Sequence, residues 1–158
     1  MLRPAARGTI SLKSADPADA PRITQNLLGT DHDKRKMCAA MKLFREVGAQ
    51  KALRPFVKSE LLPGAAEQSD AELDAVIRAT AATVHHPAGT CRMGAENDEM
   101  AVVDAELRVR GTQGLRVIDA SVFPDLVGGN INAAVIMIAE KAADLIRGKP
   151  PLRRAAPP

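Results

Sequence analysis

Residues 114–146, GLRVIDASVFPDLVGGNINAAVIMIAEKAADLI, constrain this chain more than any other stretch, because three kinds of local signal follow one another there without a gap. The run 115–118 is short, apolar and rich in β-branched residues, and it is bounded by Gly114 and Asp119, which predicts a buried strand. Apolar on both faces, such a strand belongs inside a parallel sheet. Pro124 and the pair Gly128 and Gly129 then predict irregular backbone that can pass close to another surface. From 133 to 146 there is neither proline nor glycine, and the residues are apolar on all sides through Ala139. This predicts a helix with buried first turns, brought to its end by Lys141, Asp144, Arg147 and finally Gly148.

The order of strand, glycine loop and helix sets free backbone N–H groups and the positive end of a helix dipole beside Asn130 and Asn132. That is a suitable place for an anionic or electron-rich ligand. Asparagine is also a common N-cap, so a purely local role as helix cap is open for either residue.

Upstream, residues 7–14 alternate polar and apolar before Asp16 and Pro17, as a half-buried strand followed by a turn does. A second extended segment is expected over 22–28. From Asp31 the period becomes helical, with Met37, Met41, Phe44 and Gly48 on one face, and predicts a helix over 31–52. Ser69 and Glu72 stand at capping-box spacing before Leu73, Val76 and Ile77, which predicts a second helix over 69–82. Residues 102–104 and 107–109 suit short strands. The sum is an α+β chain of one-domain length, closing on a basic tail at 149–158 that is too polar and proline-rich to pack.

Composition excludes more than it identifies. Three Phe with no Tyr or Trp argue against stacking on single-stranded nucleic acid, and a net charge of +3 is too small for an electrostatic nucleic-acid footprint. The two cysteines, Cys38 and Cys91, lie far apart without a CxxC, and no secretory leader follows Met1, so free thiols in a reducing cytoplasmic setting are expected. No apolar run approaches the roughly 20 residues of a membrane span; peripheral attachment to a membrane is compatible with this reading.

The chemistry-bearing candidates are His85 and His86. Pro87 biases His86 to extended backbone and Gly89 allows close approach. Histidine titrates near neutral pH, so either ring can take a proton from an alcohol, although a lone histidine is more often structural. A metal site built from His85, His86 and Cys91 lacks recognisable ligand spacing and a fourth ligand. A Cys91 nucleophile lacks an electropositive setting.

The segments HHPAGTCRMG at 85–94, AVVDAELRVRGTQGLRVIDASVFP at 101–124 and GGNINAAVIMIAEKAADLI at 128–146 resemble, densely and in order, the C-terminal signatures of the glucose-methanol-choline (GMC) flavoprotein oxidoreductases. RPAARGTISLKSADPADAPRI near the N-terminus resembles the start of that family's C-terminal segment, so the resemblance runs from Arg3 to Arg147. Within the family it is nearest to choline and aliphatic-alcohol dehydrogenases. The resemblance implies an antiparallel-sheet substrate domain with helices over 3–113, and over 114–148 the last strand and helix returning to the FAD domain.

It also implies FAD-dependent oxidation of a small alcohol to the aldehyde, with hydride passing to flavin N5. The matching base is His86, and Asn130 matches its oxygen-positioning partner. Asp119, Ala120, Asn132 and Ala133 match positions that touch FAD. Ile131, Ala134 and Leu27 depart from the family's usual threonine or leucine, proline and tyrosine, which bears on pocket shape. The family's G-x-G-x-x-G turn, which seats the FAD pyrophosphate, does not occur among the eleven glycines. The chain is therefore expected to be the C-terminal portion of such an enzyme, inactive without an N-terminal FAD-binding portion. The rival expectation is a non-catalytic interaction module that binds no FAD.

Overall fold

The computed structural model describes residues 1–150. Residues 151–158, most of the expected tail, lie outside the described residues. Lys149 belongs to the ordered chain: its N–H donates to the Asp144 carbonyl at 3.0 Å and its ammonium pairs with the Asp144 carboxylate at 2.9 Å. The chain divides into two compact units, Arg3–Val84 and His85–Pro158.

In the first unit β1 (Thr9–Ser11) and β2 (Arg22–Thr24) pair antiparallel with Ile10 opposite Ile23. Both predicted extended segments are present but shorter than the sequence pattern. α1 (Asp31–Gly48) begins where the Thr30 hydroxyl accepts the Asp33 N–H, and Asp31 and Asp33 lie in its first turn, where the dipole favours negative charge. It stops short of residue 52. After Gly48 the N–H groups of Gln50 and Leu53 bond to carbonyls three residues back, so the chain tightens into successive turns.

α2 (Asp70–Thr80) carries the reciprocal capping box of Ser69 and Glu72 that the spacing predicts. It packs on α1 and buries Leu73 and Ile77. Two polar locks complete the unit. The fully buried Asp33 carboxylate accepts the N–H groups of Ala5 at 2.8 Å and Ala6 at 2.7 Å, and Arg45 grips the Glu60 carboxylate while donating to the Gly64 carbonyl.

The second unit is built on a cluster of Val103, Leu107, Val122, Phe123, Ile138 and Ala142. Its backbone is mostly irregular. The strands expected at 102–104, 107–109 and 115–118 do not form; only single bridges occur, Met93 with Val103, Val103 with Val109 and Arg108 with Arg116. Left-handed backbone at Leu107 (φ 64°), Gly111 (φ 72°) and Gly114 (φ 71°) turns the chain before a ladder can extend. Leu115 is 53% exposed, and only Val117 and Ile118 of that run pack on the cluster.

Asp119 opens a single 3-10 turn, Ala120–Val122, and α3 (Asn132–Ile146) follows. α3 has the predicted extent but not the predicted burial. One stripe, Ala134, Val135, Ile138 and Ala142, lies on the cluster, while Ile136 and Met137 are 53% and 57% exposed. An all-round apolar helix needs cover on every side, and the unit's other segments reach only this stripe.

Candidate active site

The site is assembled from main chain before side chains. The N–H groups of Gly89, Cys91 and Met93 donate to the carbonyls of Ala120, Ser121 and Val122 at 3.4, 2.9 and 2.8 Å. The stretch that follows His86 therefore lies along the 3-10 turn that follows Asp119. Gly89, at φ 87°, is needed for this approach: a Cβ there would stand 3.4 Å from the Phe123 carbonyl in a backbone region side chains avoid. Ala88, two residues beyond His86, and Ile131, one beyond Asn130, pack on the same apolar cluster.

His86 is half-buried and, among the described residues, makes no hydrogen bond, which leaves both ring nitrogens available to a ligand. No strand exists at 85–86. His85 sits in left-handed backbone (φ 62°) and has an interaction of its own. Cys91 is a half-buried free thiol, as is Cys38. Among the described residues no three His, Cys, Asp or Glu gather where they could hold a metal ion.

Asn130 is exposed, and its amide makes no hydrogen bond among the described residues. Neither asparagine caps α3. The N-cap is Ile131, in helical backbone with no side-chain bond, and Asn132 is the first helical residue. The first N–H groups of α3 are thus left without a side-chain acceptor, and the space beyond Gly129 is open to 4 Å. Uncapped donors at the positive end of a 15-residue helix fit an acceptor-rich group such as the flavin carbonyls or phosphate of FAD. Asn132 and Ala133 are exposed at that end.

Asp119 is committed differently. Its carboxylate accepts the Ser121 N–H at 2.8 Å and the Ser121 hydroxyl at 2.5 Å, which fixes the turn; the Asp119 and Ala120 carbonyls accept N–H groups of the chain, so the N–H groups of these two residues are the backbone portion left to meet a cofactor. Ser121 was not marked by its residue type, because its contribution to Cys91 is a main-chain carbonyl, which carries no sequence signature.

In the first unit a cleft of about 540 Å³ between α1 and α2 is lined by Lys34, Lys42, Arg78, Asp31, Asp70 and Asp74. Six of its charged residues pair, Lys34 with Asp31, Lys42 with Asp70 and Arg78 with Asp74, Arg35 being the seventh on its lining, and it holds none of the predicted site residues. No helix among the described residues is long and apolar enough to cross a membrane.

The GMC oxidoreductase family matches residues 4–139. The chain is 47% identical over 157 residues to the oxygen-dependent choline dehydrogenase of Stenotrophomonas maltophilia, covering 99% of this chain and 28% of that protein. It is 50% identical over 151 residues to human mitochondrial choline dehydrogenase, covering 96% of this chain and 25% of that protein. Among solved structures, pyridoxine 4-oxidase from Mesorbium loti superposes with a TM-score of 0.85 at 38% identity, over 93% of this chain and 28% of its own. An FAD-dependent oxidoreductase from Chaetomium thermophilum superposes with a TM-score of 0.83 at 34% identity, over 93% and 25%. The chain spans about a quarter of the length of the curated relatives it matches. With its α+β architecture, its His86 stretch laid along 120–122 and this match over most of its length, the chain belongs to the GMC oxidoreductase family.

Proposed function

We propose that this chain is the C-terminal portion of an FAD-dependent enzyme that oxidises an alcohol CH–OH group to the aldehyde. In this reading residues 3–113 belong to the substrate-binding part and 114–148 to the part facing FAD, with the glycine turn for the pyrophosphate supplied by an N-terminal portion. Choline is the first alcohol to test, because the relatives named above are choline dehydrogenases.

His86 accepts the hydroxyl proton at a ring nitrogen. The Asn130 amide donates to the same oxygen and stabilises the negative charge that grows there as the proton leaves, a charge that hydride departure from carbon then turns into the carbonyl bond. FAD, when bound, supplies the two-electron acceptor at flavin N5. The uncapped N–H groups at Asn132 and Ala133 and the Asp119–Ala120 backbone hold it in place.

The observation that carries this reading is the run of three backbone hydrogen bonds from 89–93 to 120–122, since it joins the base-bearing stretch to the cofactor-facing turn. The test is co-expression with the FAD-binding segment of a choline dehydrogenase, followed by rapid-mixing measurement of flavin reduction with choline and a panel of other alcohols. Reduction by at least one alcohol is expected, and His86→Ala should slow it by roughly 100-fold or more at neutral pH without changing FAD content. A complex that takes up no FAD would favour the non-catalytic module. The chain by itself is expected to purify without flavin colour, because the pyrophosphate contacts lie elsewhere.

A further inference from the structure

The stretch 86–93 is tied at its far end by a loop that two arginines close. The Arg110 guanidinium donates to four carbonyl oxygens of that loop, Gly94 and Ala95 at 2.8 Å, Asp98 at 3.1 Å and Glu96 at 3.4 Å. Arg92 grips the same loop through its carboxylate, Nη2 to Asp98 Oδ2 at 2.5 Å. Asp98 also accepts the Met100 N–H at 3.0 Å; that bond, then Arg92, holds its carboxyl below the usual range against the opposing effect of burial. Gly94 has no room for a side chain, since a Cβ would stand 2.6 Å from Asp98 Oδ2 and 2.8 Å from the Ala101 methyl.

The loop is continuous with the site. Arg92 accepts the Val102 N–H at 2.9 Å, Gly94 donates to Val103 at 3.3 Å, and Arg110 donates through its own N–H to Val102 at 3.0 Å. One step before Gly94, Met93 makes the shortest of the three bonds to 120–122, at 2.8 Å. Ordering a loop costs roughly 1–2 kcal/mol per residue in backbone entropy, so a fixed fork of five donors meeting four carbonyls is a strong constraint on where its ends lie. A lysine, with three donors on a flexible stem, does not reproduce that fork.

We infer that Arg110 and Arg92 are positioning residues that hold 86–93 in register on 120–122 and thereby fix where the His86 ring is presented. This rests on the reading of His86 as base, but the register itself is measurable without catalysis. The competing view is that the arginines stabilise only their own loop.

The test is amide hydrogen exchange of the 158-residue chain by NMR, with the imidazole signals of His86 as a second readout and those of His32, in the other unit, as control. In Arg110→Ala, exchange at Gly89, Cys91 and Met93 should accelerate about 10-fold or more, and the His86 signals should move toward those of a free imidazole while His32 stays put. Millimolar guanidinium should restore both, and Arg110→Lys should restore them only in part. Asp98→Asn, isosteric and milder, should give the same pattern at smaller size and decides the matter if the alanine variant does not fold. Unchanged exchange at those three amides despite a loosened 94–98 loop, or an equal acceleration throughout α2, would overturn the inference. Failure of His86→Ala to slow flavin reduction would remove the catalytic meaning yet leave the exchange result standing, so the two readings fail separately.

Discussion

The two units reach order by opposite means. Arg3–Val84 contains both strands and two of the three α-helices, yet among its large apolar residues only Leu73 and Ile77 are fully buried, and Phe44 and Phe56 are 70% and 84% exposed. Its elements are held by caps, a buried carboxylate and ion pairs. Over its described residues, 85–150, the second unit has one long helix and otherwise mostly irregular chain, but it owns the apolar cluster and the candidate site. Regular secondary structure and a packed core are separate achievements: a helix satisfies its own backbone, whereas irregular backbone survives burial only when segments satisfy one another.

The sharpest way to break this contrast is to truncate a phenylalanine in each unit. Phe123→Ala, at a site 4% exposed within the cluster, should cost about 3–5 kcal/mol in denaturant unfolding of the second unit. Phe56→Ala should stay within about 0.5 kcal/mol. Similar costs at the two positions would mean that the cluster is not the source of order.

Next in size, Asp33→Ala removes the carboxylate that accepts two N–H groups and should cost about 1–3 kcal/mol, read as lost exchange protection at Ala5 and Ala6. The same lock predicts a pH dependence. Burial pushes the Asp33 carboxyl up, but the N–H groups of Ala5 and Ala6, the Thr30 hydroxyl and the His32 side chain pull it down, and the net direction is downward. A lowered folded value means that the contribution is complete above the unfolded carboxyl's pKa and is lost as pH falls through the folded one. Protection at Ala5 and Ala6 should therefore be flat at neutral pH and fall only in acid; a loss near pH 6–7 would contradict the assignment, since that is histidine's range.

The smallest effects separate the helix ends. Ser69→Ala should cost about 1 kcal/mol in α2 stability by removing the capping box. Asn130→Ala should change α3 stability by less than about 0.5 kcal/mol, because surface substitutions away from caps are close to neutral and Asn130 caps nothing. A loss at Asn130 as large as that at Ser69 would return it to the role of helix cap and weaken its reading as a substrate contact.

What the sequence made legible follows the same division. α1, α2 and α3 were readable because helical period and the Ser69–Glu72 spacing are local signals. The strands at 102–104, 107–109 and 115–118 were misread because β-branched apolar residues report burial against neighbours, and here burial comes from bridges between turns. The Asn130 or Asn132 cap failed because the glycine pair delivers the chain to α3 with Ile131 already helical. His86 and Asn130 stood out by family resemblance; a histidine before proline and an asparagine before a helix do not identify themselves. The pairing of 89–93 with 120–122, which gives those residues their setting, was invisible, since amide and carbonyl are common to nearly every residue.

That pairing has a consequence for how the sequence can change. Because the frame joining 89–93 to 120–122 is written in main-chain atoms, side chains at Thr90 and Cys91 can drift without resetting it, while Gly89 and Gly94 cannot. A library of substitutions therefore has freedom at Thr90 and Cys91 and none at the two glycines.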